Sequence, residues 1–303
     1  MKIAALDLGS NTSLLLVADV EGGLVTKVYR DELTVTRMGQ GVHATKKLHP
    51  EALARMDQCL KNYSQIINIE KPDRVIAMAT SAARDVSNAS ELFEIGKRNN
   101  IAIEIIPGER EAQITFDGAV FDRKNKAHLG VIDVGGGSTE VIALGSDGRV
   151  VGASVNVGSV RLTELFVTKY PTPLSEVNKI LEYSQQKFAD MRAQLPNGRI
   201  DEVIAVAGTP TTLAAVLQKQ KYSDETVNGF VIKIETLEEW LYKIAELNLE
   251  QRMQLTGMDP KRADVIVAGS AVLLTALKFL NAKKMTVSTR GVRYGIALYG
   301  AQK

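Results

Sequence analysis

The 303-residue chain is poor in the residues that build disulfides and soft-metal sites: it has one cysteine, three histidines and 5% aromatics. A single cysteine, Cys59, excludes a disulfide within the chain and any zinc site made of thiolates. His43, His49 and His128 stand at no metal-ligand spacing and read as loop or surface residues. No run approaches the ~18 apolar residues that a membrane span needs. The apolar start is broken by Asp7, Gly9, Ser10 and Asn11, residues foreign to the core of a secretory signal. A cytoplasmic protein with no membrane partner is expected. The net charge is only +2, too little to imply a nucleic-acid partner, so any polyanion site must be a local patch.

Apolar residues make up 45% and charged residues 24%, the profile of a globular chain, and the length suits two domains. Val, Ile, Leu and Ala dominate, as expected where strands are buried under helices. The chain is also written twice. "IAALDLGSNTSLLLVA" (3–18) and "LGVIDVGGGSTEVIAL" (129–144) align Asp7 with Asp133, Gly9 with Gly135 and Thr12 with Ser138, an offset of 126 residues. "DRVIAMATSAAR" (73–84) and "DEVIAVAGTPTT" (201–212) align at 128. Two separate segments at one spacing argue for a duplicated α/β domain. Each half opens strand–turn–strand, adds a third strand (23–35 in the first half), then a long helix over 50–69 or 173–195, and then the strand of the second pair. Pro196-Asn197-Gly198 is expected to stop the second long helix. The joint is placed in 116–130, giving lobes 1–122 and 123–303, the last helix being free to pack back on the first lobe. Ligands of such α/β proteins bind where turns at strand ends converge, which here means an inter-lobe cleft.

Four turns carry the chemistry. Gly135, Gly136 and Gly137 offer backbone N–H groups with no side chain to keep phosphate oxygens away, and Ser138 and Thr139 add hydroxyls. Asp7 and Asp133, at strand ends, suit Mg²⁺, which prefers oxygen ligands. "ATSAAR" and "AGTPTT" each precede a helix, whose N-terminus favours an anion. "IEIIPGEREAQITFDGAV" (103–120) reads as strand, turn and helix with Glu109 and Glu111 in the first turn. Acids there are common for dipole reasons alone, but a carboxylate facing the cleft can also orient or deprotonate a water.

With "DLGSN", "TSAAR", "GEREA", "DVGGGSTE", "NVGSVRLTE", "AGTPTTLAA", "RADVIVAG" and "STRGVRYG" in order along nearly the whole chain, the sequence resembles the exopolyphosphatase and guanosine pentaphosphate phosphohydrolase family of the actin-like superfamily. The resemblance implies two duplicated actin-like, ribonuclease H-like lobes, in the short form that lacks further helical domains. It implies Mg²⁺-dependent release of terminal phosphate from polyphosphate, with pppGpp as the alternative substrate and a non-catalytic sensor of either as a third reading. By the same resemblance Glu111 is the catalytic base, and Arg84 and Arg293 offset charge on the transferred phosphoryl group. Asn11, Gly135–Gly137, Ser138, Gly208 and Thr209 bind phosphate, and Asp133, Glu140 and Asp7 hold metal. Leu14 stands where relatives carry Arg or His, and Ser159 where they often carry Cys. A homodimer agrees with the usual symmetry of soluble assemblies, though no residue specifies one.

Overall fold

A computed structural model describes residues 1–84, 86–126, 128–145, 147–195 and 200–302. The chain forms two compact units: unit 1 is Met1–Lys124 with Gly291–Lys303, and unit 2 is Asn125–Arg290.

Unit 1 is built on β1 (Lys2–Leu8), β2 (Thr12–Glu21), β3 (Leu24–Val35), β4 (Arg74–Ala79) and β5 (Ile103–Ile105), in the order β3-β2-β1-β4-β5. The first three strands form an antiparallel meander, and β4 and β5 add in parallel. Besides the helical turn Val42–Thr45, its helices are α1 (Pro50–Glu70), the single turn α2 (Ser81–Arg84), α3 (Ala89–Arg98), α4 (Gly108–Val120) and the C-terminal helix Val292–Gln302.

Successive strand residues point to opposite faces, and β1 shows what that does. Ala4, Leu6 and Leu8 pack into one core with Leu53, Met56 and Leu60 of α1 and Leu92 and Ile95 of α3. Ile3 and Ala5 pack into the other, with Ile114 of α4 and Ile296, Ala297 and Leu298 of the C-terminal helix. By parity Asp7 belongs to this second face. The polar residue of an otherwise buried strand is thus aimed at the two helices that carry Glu111 and Arg293.

These two helices touch backbone to backbone. A β-carbon on Gly118 would lie 2.1 Å from the carbonyl oxygen of Gly291 and 2.5 Å from the nitrogen of Gly295. Only glycine permits such an approach.

Unit 2 contains β6 (Leu129–Val134), β7 (Thr139–Leu144), β8 (Val150–Val155), β9 (Glu202–Val206), β10 (Val231–Lys233) and β11 (Lys284–Val287), in the order β10-β11-β9-β6-β7-β8. Its principal helices are α5 (Ser159–Phe166), α6 (Leu174–Met191), α7 (Gly208–Gln218), α8 (Ile234–Ala245) and α9 (Ile266–Phe279). Read from β8, this is the same antiparallel meander followed by parallel strands, with β10 added antiparallel at the far edge. α9 is apolar on nearly every side because it is buried against α6, α7 and α8. Trp240 on α8 packs against this core, and Cys59 of unit 1 is a buried free thiol.

The long helices fall where periodicity puts them, at 50–70 and 174–191, the second running into a 3₁₀ turn at Arg192–Gln194. Pro196-Asn197-Gly198 lies outside the described residues. Among the described residues no helix is long and apolar enough to cross a membrane.

Gly118→Ala should lower the thermal unfolding midpoint by several degrees, a cost of about 2–3 kcal/mol from overpacking. Helix propensity alone would favour alanine by about 1 kcal/mol. Circular dichroism melts decide between the two signs.

Candidate active site

The two opening turns are the same device. In unit 1 the Gly9 N–H donates to the Thr12 carbonyl at 3.0 Å; in unit 2 the Gly135 N–H donates to the Ser138 carbonyl at 3.0 Å. A β-carbon at either glycine would stand 2.9 or 3.0 Å from that acceptor. The turn therefore closes only on glycine, and it delivers a strand-end aspartate on each side: Asp7 opposite Leu14, Asp133 opposite Glu140.

In unit 1, Asn11 is buried, and neither its side-chain oxygen nor its nitrogen has a hydrogen-bond partner. Its backbone carbonyl, by contrast, accepts from the N–H groups of Thr36 and Arg37 at 3.1 and 2.9 Å, so the residue is rigidly seated. A buried amide left unsatisfied costs about 1–3 kcal/mol, so Asn11 carries unused donor and acceptor capacity in the β1 turn. Beside it, the hydroxyls of Ser10 and Ser81 meet at 3.0 Å and join the β1 turn to α2.

α2 is one turn long, which corrects the expectation of a phosphate-binding helix N-terminus after "ATSAAR": too few peptide dipoles line up there to act together. What that segment supplies is Arg84. Its Nη1 donates to the Ile106 carbonyl at 2.9 Å and to Glu111 Oε2 at 2.6 Å. Glu111 itself is buried in the first turn of α4. Arg293, at the start of the C-terminal helix, donates from Nε and Nη2 to the two oxygens of Asp31 on β3, each at 2.8 Å. Asp7 feels all of this. Burial first, and then the charge of Glu111, push its pKa up to about 7, with Arg293 pulling the other way. Asp7, Arg84, Glu111 and Arg293 thus form one electrostatic cluster within unit 1.

In unit 2 the glycine turn is held from behind by α5. Its first residues take the glycine carbonyls in order: Ser159 N–H donates to Gly135 O at 2.9 Å, and Val160 and Arg161 N–H to Gly136 O at 2.9 and 3.0 Å. The Nε of Arg161 donates to Gly137 O at 2.7 Å. Across a trans peptide the N–H points opposite to the C=O. The N–H groups of Gly136, Gly137 and Ser138 are therefore turned away from α5, as an anion nest requires. None of the three glycines has positive φ, so glycine serves here for close approach rather than for left-handed backbone. Glu140 is buried between its cross-strand neighbours Asp133 and Ser154, whose hydroxyl donates to Glu140 Oε1 at 2.7 Å.

Gly208 and Thr209 open α7, an eleven-residue helix, long enough for its N-terminal N–H groups and dipole to favour an anion. The preceding Ala207 has φ 74° and ψ −168°, a conformation nearly reserved for glycine and a mark of local strain. The guanidinium of Arg262 lies against Gly208, where a β-carbon would come within 1.4 Å of Nη1. Burial pushes the Arg262 pKa down.

Arg161 and Arg262 were not assigned a role from sequence, although both stand inside the motifs "NVGSVRLTE" and "RADVIVAG". The signal of Arg161 is a lone arginine in a run of apolar and small residues, whereas Arg262 stands among the charges of Asp259, Lys261 and Asp264 and has no such mark. Asp31 and Ser154 lie on strands with no such signal.

Among the described residues no group of three or more His, Cys, Asp or Glu could hold a metal. Mg²⁺, however, is commonly bound by one or two carboxylates, with waters and substrate phosphates completing the shell. The oxygen-only pair Asp133–Glu140 and the carboxyl of Asp7 fit that pattern, and burial, which raises the Asp7 pKa, is a penalty that a bound cation would offset.

The sequence profile of the Ppx/GppA phosphatase family matches residues 16–303. The chain belongs to that family. The chain is 34% identical over 312 residues to Exopolyphosphatase 2 of Mycobacterium tuberculosis, covering 98% of each. Among solved structures, the Ppx/GppA family member of Aquifex aeolicus matches at TM-score 0.82 and 29% identity, covering 100% of this chain and 98% of that one. An exopolyphosphatase from Cytophaga hutchinsonii matches at TM-score 0.87 and 27% identity, covering 99% and 98%. The α/β fold is therefore the actin-like, ribonuclease H-like two-lobe architecture of this family, and membership assigns phosphoric anhydride hydrolysis as its class of reaction.

Asp7→Asn should stabilise the metal-free protein. The folded-state pKa lies above the ordinary 3.8, so the native state holds this proton more tightly than the unfolded chain. Stability contributed by Asp7 is then lost as pH rises from about 4 to about 7. The mutant's advantage should be absent at pH 4 and reach on the order of 3 kcal/mol at pH 8. Urea unfolding at the two pH values checks it, and added Mg²⁺ should narrow the gap at pH 8.

Proposed function

We propose that this chain is a Mg²⁺-dependent exopolyphosphatase that releases orthophosphate from the end of inorganic polyphosphate. The observation that carries the reading is the buried Glu111 held at 2.6 Å by Arg84 within the Asp7 cluster. The relative covered end to end at 34% identity bears the name exopolyphosphatase, which favours polyphosphate over pppGpp as substrate.

In this reading the nest at Gly136–Ser138, the N-terminus of α7 and the Asn11 amide bind phosphate oxygens. Asp133 with Glu140 in unit 2, and Asp7 in unit 1, are the carboxyls that would hold Mg²⁺, which supplies positive charge against the phosphates when bound. A water attacks the terminal phosphorus and its proton passes to Glu111. The bond from that phosphorus to the bridging oxygen breaks, and the shortened chain leaves with the electron pair on that oxygen. Phosphoryl transfer passes through a loose transition state in which positioning and electrostatic stabilisation dominate. A carboxylate whose rotamer is fixed by Arg84 suits the orienting of water. Arg84 and Arg293 offset charge on the equatorial oxygens, and their forked donors match phosphate geometry. Leu14, cross-strand from Asp7, brings no cation to the substrate.

Phosphate release from long-chain polyphosphate and from pppGpp, measured with Mg²⁺, tests the reading. Turnover of polyphosphate should fall by a factor of about 10²–10⁴ in Glu111→Gln, with the melting midpoint little changed. Turnover of pppGpp alone moves the chain to that substrate. Tight binding of either without turnover removes the enzyme reading.

Leu14→Arg should lower KM for polyphosphate several-fold and steepen its salt dependence. A KM unchanged between low and high salt would show that position 14 does not face the substrate.

A further inference from the structure

Asp31 stands on β3 opposite Leu16, and Leu16 lies two residues from Leu14, the cross-strand partner of Asp7. Alternate strand residues share a face, so Asp7, Leu14, Leu16 and Asp31 look the same way. That face is covered by α4 and the C-terminal helix, since Leu16 packs with Ile114 and Ile296. Asp31 thus reaches Arg293 across 262 residues of chain, with both oxygens engaged at 2.8 Å.

Two parallel bonds fix the plane of a guanidinium as well as its place. A single contact leaves that plane free to rotate. The side chain of Asp31 is 31% exposed, too wet for the pair to be a large stabiliser. Orientation is therefore what the bond chiefly confers. Asp7 also interacts with Arg293, so the guanidinium has a second carboxyl nearby against which the Asp31 fork holds its plane.

We propose that Asp31 is a positioning residue for the hydrolysis, setting the plane in which Arg293 meets the transferred phosphoryl group. This rests on the reading of Arg293 as catalytic. Asp31 touches no reacting atom; it acts only through the arginine. A residue of that kind should change kcat more than KM, because the charge it helps to offset develops in the transition state.

Steady-state kinetics on the full chain with polyphosphate, for wild type, Asp31→Asn, Arg293→Ala and the double variant, tests the proposal. Asp31→Asn should lower kcat tenfold or more with KM changed less than threefold. In the Arg293→Ala background the same substitution should change kcat by less than twofold, and Asp31→Glu should keep more activity than Asp31→Asn. A second readout needs no turnover: hydrogen exchange of the Arg293 Nε–H, assigned by its loss in Arg293→Ala, should be at least tenfold faster in Asp31→Asn.

Effects that multiply independently in the double variant would overturn the proposal. So would a lowered KM in Asp31→Asn, which would make Asp31 a competitor of the substrate for Arg293. Wild-type kcat in Arg293→Ala sinks the catalytic reading of Arg293 and the proposal with it. A wild type that hydrolyses neither polyphosphate nor pppGpp sinks the hydrolase reading, whereas unchanged Nε–H exchange sinks the Asp31 assignment alone.

Discussion

A β-carbon at Gly295 would stand 1.8 Å from the carbonyl oxygen of Ile114. The C-terminal helix and α4 are therefore in backbone contact, and the rest of unit 1 depends on that closeness. Side chains cannot separate the two axes, so Glu111 on one helix and Arg293 on the other are located by rigid backbone. β1 lies beneath both and turns Asp7 toward them by the parity of its residues. Three elements far apart in sequence place three charges through packing of the kind that tolerates no intermediate arrangement.

Unit 2 reaches a related end by other means. Its glycine turn is shaped by hydrogen bonds from α5, which takes the carbonyls of Gly135, Gly136 and Gly137 and so turns the following N–H groups the opposite way. Where unit 1 gathers charged side chains, unit 2 adds backbone N–H groups to its Asp133–Glu140 pair. The duplicated strands and turns are the common frame: Gly9 and Gly135 make the same bond at the same distance, and Asp7 and Asp133 follow from it. The cross-strand partners then differ, Leu14 in one unit and Glu140 in the other. Two copies of one scaffold have thus been given different chemistry at equivalent positions.

Much of this was legible in the sequence. Strands, turns and long helices follow from apolar periodicity and glycine placement, and the 126-residue repeat exposes the duplication. Local signals failed where tertiary context decides. "SAAR" has good helix formers, yet it stops after one turn, and a length of four residues cannot be read from propensity. Arg161 was visible as an arginine in a small-residue run and Arg262 was hidden among charges, but the partners they meet, Gly137 and Gly208, are 24 and 54 residues away. Asp31 carried no signal, because an acid on an edge strand is ordinary until Arg293 is found beside it. Asn11 belongs to the opposite case: its motif marked it, and the structure adds that its side-chain amide is buried without a hydrogen-bond partner.

Unit 1 is discontinuous, since the chain leaves it after Lys124 and re-enters at Gly291. During synthesis every residue of unit 2 leaves the ribosome before the helix that covers Ile3, Ala5 and Met78 of unit 1. Domains generally fold as units, and unit 1 lacks part of its core until that helix arrives. The second-written half can therefore finish folding first, while the first-written sheet waits with one apolar face uncovered. Transiently uncovered apolar surface of that kind is what makes folding intermediates prone to aggregate.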